Sequence, residues 1–292
     1  MRMLSRCAIP VALVTFAFGI VDRAHADRIA PSPPGQRAIT AETVVVGKVV
    51  GFEKDPVQAA PYPGAKEKAN YKVAVVKIQE GLIGAEKLKE IKVGFIAPKA
   101  GQPQRIFGVD LKEGQELLLF LSKHPSGDFH VIPGIALPVE LKDEQSKKDL
   151  ESVKKIAAML ADPKPGLGCD NPDIRSETAS VVILKYRAYP ALGGEVDQVA
   201  INADESKLLL KGISDGNWSS RNMRFDSPPS PLQAFQSLGL TAKDGWIQPV
   251  IVNTPGAPPA DFGSIQKDAF MKWLEGPGKD YQIKKLVPKS KK

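Results

Sequence analysis

The residues able to do chemistry in this chain are few, and their spacing assembles no reaction. Gly212-Ile213-Ser214-Asp215-Gly216 spells Gly-x-Ser-x-Gly, the pattern that lifts a serine nucleophile onto a sharp turn between a strand and a helix. Such a serine needs a base to take its proton, and in that layout a histidine follows it. The last histidine here is His130, well before Ser214. Asn217-Trp218-Ser219-Ser220 is also a poor helix start, so the stretch reads as an ordinary turn. His124, His130 and the distant Cys169 are too few for zinc, which needs three or four convergent ligands. No HExxH, CxxC, phosphate-binding glycine loop or EF-hand pattern occurs. No catalytic residue, metal ligand or cofactor is therefore assigned. Paired carboxylates of the glycosidase kind leave no fixed spacing, so a cell-envelope hydrolase stays open as an alternative, beside a purely structural envelope component.

Two features suit binding instead. The stretch 53–69 carries Tyr62 between Pro61 and Pro63, with Lys54, Lys66 and Lys68 around it. Trp218 and Trp246 sit beside loop residues, where an exposed indole would offer a stacking surface. Tyr62, Lys66, Lys68, Trp218 and Trp246 are the candidate ligand contacts; a plain solvated loop and packed tryptophans are the simpler alternatives. Asn217-Trp218-Ser219 also fits the glycosylation sequon, which matters only in a cell that glycosylates.

The compartment is written at the front. Arg2 and Arg6 precede an apolar or small run, Cys7–Val21, and Ala24-His25-Ala26 supplies small side chains at the two positions signal peptidase reads. The run is shorter than the ~20 residues a spanning helix needs. Cleavage between Ala26 and Asp27 is expected, leaving a periplasmic or extracellular chain with no transmembrane segment. Cys169 is then the one cysteine left, so no intramolecular disulfide can form and packing must supply stability.

Charge narrows the partners. The full sequence has 40 basic and 33 acidic residues, or +7. Without residues 1–26, which hold Arg2, Arg6, Arg23 and Asp22, it falls to +5. Residues 279–292, with six lysines and one aspartate, carry +5 by themselves. The body is neutral, so no specific nucleic-acid binding is expected, and any pull on an anionic envelope polymer would come from the tail. The other partner class is an unidentified protein.

The elements that must position these residues fall into two groups, an α+β arrangement. After a loose lead-in over 27–40, TVVVGKVVGF (43–52), YKVAVVKIQ (71–79), EKLKEIKVGFIA (86–97), ELLLFLSK (116–123) and FHVI (129–132) read as five strands divided by Gly/Pro turns. Short antiparallel strands of this kind favour a small OB-like β-barrel, because closure hides sheet edges. From 146 to 278 the spacing becomes helical: about 146–162, 172–187, 204–213, 231–238 and 264–275, with a domain break between Pro138 and Lys147. Their starts hint at stacked helical pairs, without a recurring residue pattern. A solvated basic tail, 279–292, closes the chain.

The order TVVVGKVVGF, YKVAVVKIQEGLIG, EIKVGF, then a glycine before ELLLFLSK resembles the netrin-like module, the OB-type barrel of tissue inhibitors of metalloproteinases, over about 45–138. The resemblance implies a barrel fold and an extracellular binding role. Metalloproteinase inhibitors of that family chelate zinc with an N-terminal cysteine; this module has no cysteine and the expected N-terminus is Asp27, so the inhibitory mechanism is not carried over.

Overall fold

The computed structural model describes residues 32–96, 109–134, 136–219, 229–251 and 260–289. The expected signal peptide and its Ala26–Asp27 cleavage point lie outside the described residues. The strands follow the β-branched runs: β1 Thr43–Phe52, β2 Val57–Ala59, β3 Ala69–Ile83, β4 Glu90–Phe95, β5 Glu116–Lys123, β6 His130–Val131 and β7 Val139–Glu140. They make one seven-stranded sheet of order β1-β3-β4-β6-β5-β7, with β2 on β3. β1 pairs antiparallel with β3 on one side and with β5 on the other. β4 and β6 run parallel.

The alternation of strand side chains explains why β1 and β5 are apolar at nearly every position. Val45, Val49, Leu117, Leu119 and Leu121 point into one core with Ala74, Val76, Ile91 and Val93. Val44, Val46, Leu118 and Phe120 point the other way, into a second core completed by helices. Those helices are α1 Pro34–Thr40, α2 Glu144–Ala161 and α4 Pro172–Tyr186, with the short α3 Lys164–Leu167 between the last two. Ala38 and Ile39 come from α1, Val153 and Ile156 from α2, and Val181 from α4.

α4 is the central pillar. Asn171 caps it by accepting the Asp173 and Ile174 N–H groups at 2.9 and 3.4 Å, and Pro172 sits in the first turn. Its β-branched Val181-Val182-Ile183 run, poor for a solvated helix, is tolerated because residues of this run pack on both sides. Val181 joins the sheet-side core, while Val182 and Ile183 enter a third core with α5 Ala203–Asp215, α6 Pro231–Leu238 and α7 Phe262–Glu275. Ser230 and Gln233 form a capping box at the start of α6, and Gly239 ends it in the left-handed region.

Three expectations need correction. The loose lead-in is a helix from Pro34, and Arg37 is buried in it. The Arg37 guanidinium donates to the Ser32 carbonyl at 2.6 Å and to the Leu137 carbonyl, and lies 5.2 Å from the Phe120 ring centre. Burial pulls its pKa below the ordinary arginine value, with Asp149 opposing. The basic tail is not a solvated end as far as it is described: β9 Lys284–Pro288 pairs with β8 Val196–Ala200, a strand the sequence reading passed over. Ile283 is fully buried and Tyr281 meets Trp273 edge-on at 5.2 Å, so apolar burial outweighed the repulsion of neighbouring lysines. FHVI contributes only His130 and Val131 to the ladder. Residues Pro31–Lys292 form one compact unit, and β7 with the Asp143 cap of α2 fills the stretch between Pro138 and Lys147.

Candidate binding groove

A large cavity opens where the end of β5 meets the connection between α4 and β8. Lys123 and Pro125 follow β5, Pro63 comes from the 53–69 loop, and Glu42 precedes β1; Leu192 to Asp197 and the end of β9 close the far side. Its volume is about 840 Å³. Gly193 and Gly194 have φ of 76° and 114°, a left-handed path that a side chain would strain, so this connection turns sharply across the groove.

The near wall is fixed by a buried histidine. His124 Nδ1 accepts the Ser126 N–H at 3.2 Å, which leaves Nε2–H to donate to the Ala60 carbonyl at 3.0 Å. The ring stacks on Phe129 at 4.7 Å and meets Tyr71 edge-on at 5.6 Å. Phe129 fits because residue 94 is glycine: a Cβ there would lie 2.5 Å from two ring carbons. Ala59, Tyr71, Phe129 and Val131 form a small core, and Leu192 packs against it, tying the far wall to the sheet. Burial raises the Tyr71 pKa; His130, on β6, is pulled below the usual imidazole value first by burial and then by Lys123.

Charges in the groove are mixed and partly engaged. Glu42 accepts the Lys123 backbone N–H at 2.9 Å. Lys289 Nζ lies 2.8 Å from Glu195. Behind Glu42 and outside the lining, Lys185 reaches from α4 to the Ala41 carbonyl at 2.6 Å, and burial lowers its pKa while Glu42 opposes. Prolines and Leu192 supply the apolar surface, and no aromatic ring is among the described lining residues.

The residues singled out from sequence fall around this groove or far from it. Tyr62 is 56% exposed beside Pro63, and Lys66 and Lys68 are exposed on the same loop, but none of the three lines the groove. Trp218 and Trp246 are not exposed platforms, at 2% and 7% exposure. Trp218 packs at 5.1 Å on Phe235 and 5.2 Å on Phe270, and its indole N–H donates to the Ile213 carbonyl at 2.7 Å. Trp246 meets Phe235 edge-on at 4.9 Å. An apolar area of that size is worth more inside than out, and local polar neighbours do not decide otherwise. Ser214 is not on a turn: it lies in the last turn of α5 and donates to the Lys211 carbonyl at 2.7 Å. Cys169 is a free, half-buried thiol before α4, and its carbonyl accepts from Arg175. Among the described residues, no group of three or more His, Cys, Asp or Glu could hold a metal ion, and no helix is long and apolar enough to cross a membrane.

Sequence reasoning missed Glu42, Lys123, Leu192, Glu195 and Asp197 as wall residues. Only Pro190 and Gly193-Gly194, a turn signal next to a β-branched run, could have pointed there. No known protein-family model matches this chain, and no curated protein matches it as a relative.

Proposed function

We propose that this is an exported binding protein that holds an extended segment of a protein partner in the 840 Å³ groove. Residues 1–26 supply the export reading. The barrel reading is supported by the pairings, which run β1-β3-β4-β6-β5 and return to β1, an OB-type ring in which β2 and the 53–69 loop flank the ligand side. The netrin-like resemblance belongs to the same proposal.

The single observation that carries the ligand class is the chemistry of the groove walls. Lys123 and Lys289 stand among Glu42, Glu195 and Asp197, so a polymer of one charge sign meets no matching patch. A sugar chain meets no ring to stack on. A polypeptide offers both charge signs, apolar side chains for Pro63, Pro125, Pro190 and Leu192, and backbone groups for polar rims.

The test pans residues 27–292 against a random peptide display library and measures the enriched peptides by calorimetry. Micromolar binding that Asp197→Trp weakens at least tenfold, with the melting temperature unchanged, is the expected result. Failure to enrich peptides, or equal binding by D197W, sinks the reading.

A further inference from the structure

The two-stranded ribbon of β8 and β9 has an open side. In an antiparallel pair, residues whose backbone N–H and C=O groups reach the partner strand alternate with residues whose groups point away from it. Two bonds at the ends of this ladder fix the phase. The Ile201 N–H donates to the Ile283 carbonyl at 2.9 Å, and the Lys289 N–H to the Glu195 carbonyl at 3.0 Å. In the same register Asp197 lies opposite Val287 and Val199 opposite Lys285, so the backbone groups of Glu195, Asp197, Val199 and Ile201 face β9. Val196, Gln198 and Ala200 turn theirs to the other edge, where no further strand pairs among the described residues.

Proteins blunt an open edge with proline, charge or a cover. β8 contains no proline and is exposed from Asp197 to Ala200, with Val199 at 51%. Its one charge is Asp197. The lysines of the β9 segment are engaged elsewhere: Lys284 with Asp244, Lys285 over the Tyr186 ring and Lys289 with Glu195. Toward the open edge, Asp197 and Val199 hold the positions where the side chains of paired strands come closest.

We propose that the open edge of β8 takes an extended peptide as a third, antiparallel strand, with an apolar residue opposite Val199 and a basic residue two positions later opposite Asp197. Backbone pairing supplies affinity and the two side chains supply selectivity. The proposal rests on the groove reading and gives it a register: past Val196 the added strand meets Glu195, Gly194 and Gly193, which line the groove. The partner segment therefore reads apolar-x-basic, followed by apolar residues for Leu192 and the groove prolines. A second copy of this chain fits the edge less well, since a two-fold axis at Gln198 sets each Asp197 against a valine and supplies it no cation.

The experiment adds the blocked peptide Thr-Val-Thr-Lys-Thr-Leu-Leu to residues 27–292, its first five residues meant to run from Ala200 to Val196. Calorimetry gives the affinity, and backbone amide signals of 15N-labelled protein give the place. Binding at about 100 μM Kd is expected, with shifts at Val196, Gln198 and Ala200 and at Gly193 and Gly194. N-methylation of the third peptide residue, whose N–H would donate to Gln198, should weaken binding about tenfold or more, and N-methylation of the fourth, whose N–H points away, should not. A glutamate in place of the peptide lysine should weaken binding, and Asp197→Lys should reverse that preference. Gln198→Pro removes an N–H that β9 does not use, so it should weaken binding with the melting temperature unchanged; should that variant fail to fold, the N-methyl pair decides. Shifts confined to Lys123, Gly193 and Gly194, indifferent to where the N-methyl group sits, would overturn strand addition and leave the groove reading standing. Shifts along β8 with equal binding by a peptide lacking Leu-Leu would support strand addition and remove the groove. No binding, or a dimer that occupies β8, overturns strand addition, and the library panning then judges the groove by itself.

Discussion

Removing the basic tail should unfold part of the helical core rather than trim a loose end. Truncation after Gly278 deletes Tyr281, Ile283 and Leu286, and leaves β8 without its partner. Ile283 is 0% and Leu286 6% exposed, and each buried aliphatic side chain of this size is worth about 1.5–3 kcal/mol. Tyr281 packed on Trp273 adds about 1 kcal/mol. The loss is therefore about 4–7 kcal/mol, an upper bound because the unfolded chain also buries some of this surface. The Lys284–Asp244 pair, at 3.4 Å, is partly exposed and contributes little. At roughly 2–4 °C per kcal/mol for chains of this size, the melting temperature should fall by about 8–28 °C. Circular dichroism melts of residues 27–278 and 27–292 measure it. Ile283→Val, costing about 1 kcal/mol, and Ile283→Ala, about 3 kcal/mol, grade the effect should the truncated chain fail to fold. A truncated chain melting within about 2 °C of the full one would refute the burial argument and return the tail to solvent.

Alkaline pH should destabilise the same region. Burial, then the hydrogen bond to Glu205 at 2.6 Å, pushes Tyr186 up to about 12; burial and then Asp244 do the same for Tyr281. Both hold their protons when the unfolded chain has lost them, so stability is intact below pH 10 and falls as pH rises toward 12. Urea unfolding across that range should show the slope, and Tyr186→Phe or Tyr281→Phe should flatten it; an unchanged slope in both variants would contradict the assignment. Gly94→Ala should cost about 1–3 kcal/mol by driving a methyl into the Phe129 ring, and Phe129→Leu in the same chain should recover part of it. Additive losses would mean the two do not touch. Asn171→Ala should cost about 1 kcal/mol by uncapping α4, read as a shift in denaturation midpoint at constant slope.

Much of the element pattern was legible because local signals and burial agree there. β1, β3, β4 and β5 carry β-branched or aliphatic runs, and α4 and α6 announce their starts with Asn171-Pro172 and Ser230-Pro231. Where the two signals part, sequence reading failed. The Pro/Ser content around Pro34 concealed a helix held by three buried residues, Arg37, Ala38 and Ile39. Lysines at 284, 285 and 289 made residues 279–292 look solvated. Yet Lys284 finds Asp244, Lys285 lies 5.2 Å from the Tyr186 ring centre, and Lys289 finds Glu195. Each partner comes from a distant element, so no window along the chain could show the charge being met.

The same reason hid the groove. Glu42, Lys123, Asp197 and Lys289 are unremarkable where they stand in sequence, and become a wall only because β5, β8 and β9 end at one place. Trp218 and Trp246 misled in the opposite sense. Asn217 is exposed and Trp218 buried next to it, because one large ring can turn inward from a loop when an acceptor waits there, as the Ile213 carbonyl does. Composition around a tryptophan reports where its backbone runs; whether the ring faces water depends on what lies across the core. By that criterion Trp246 belongs with Trp218: Phe235 meets its ring edge-on at 4.9 Å and Trp273 at 6.4 Å, so polar loop neighbours leave it only 7% exposed.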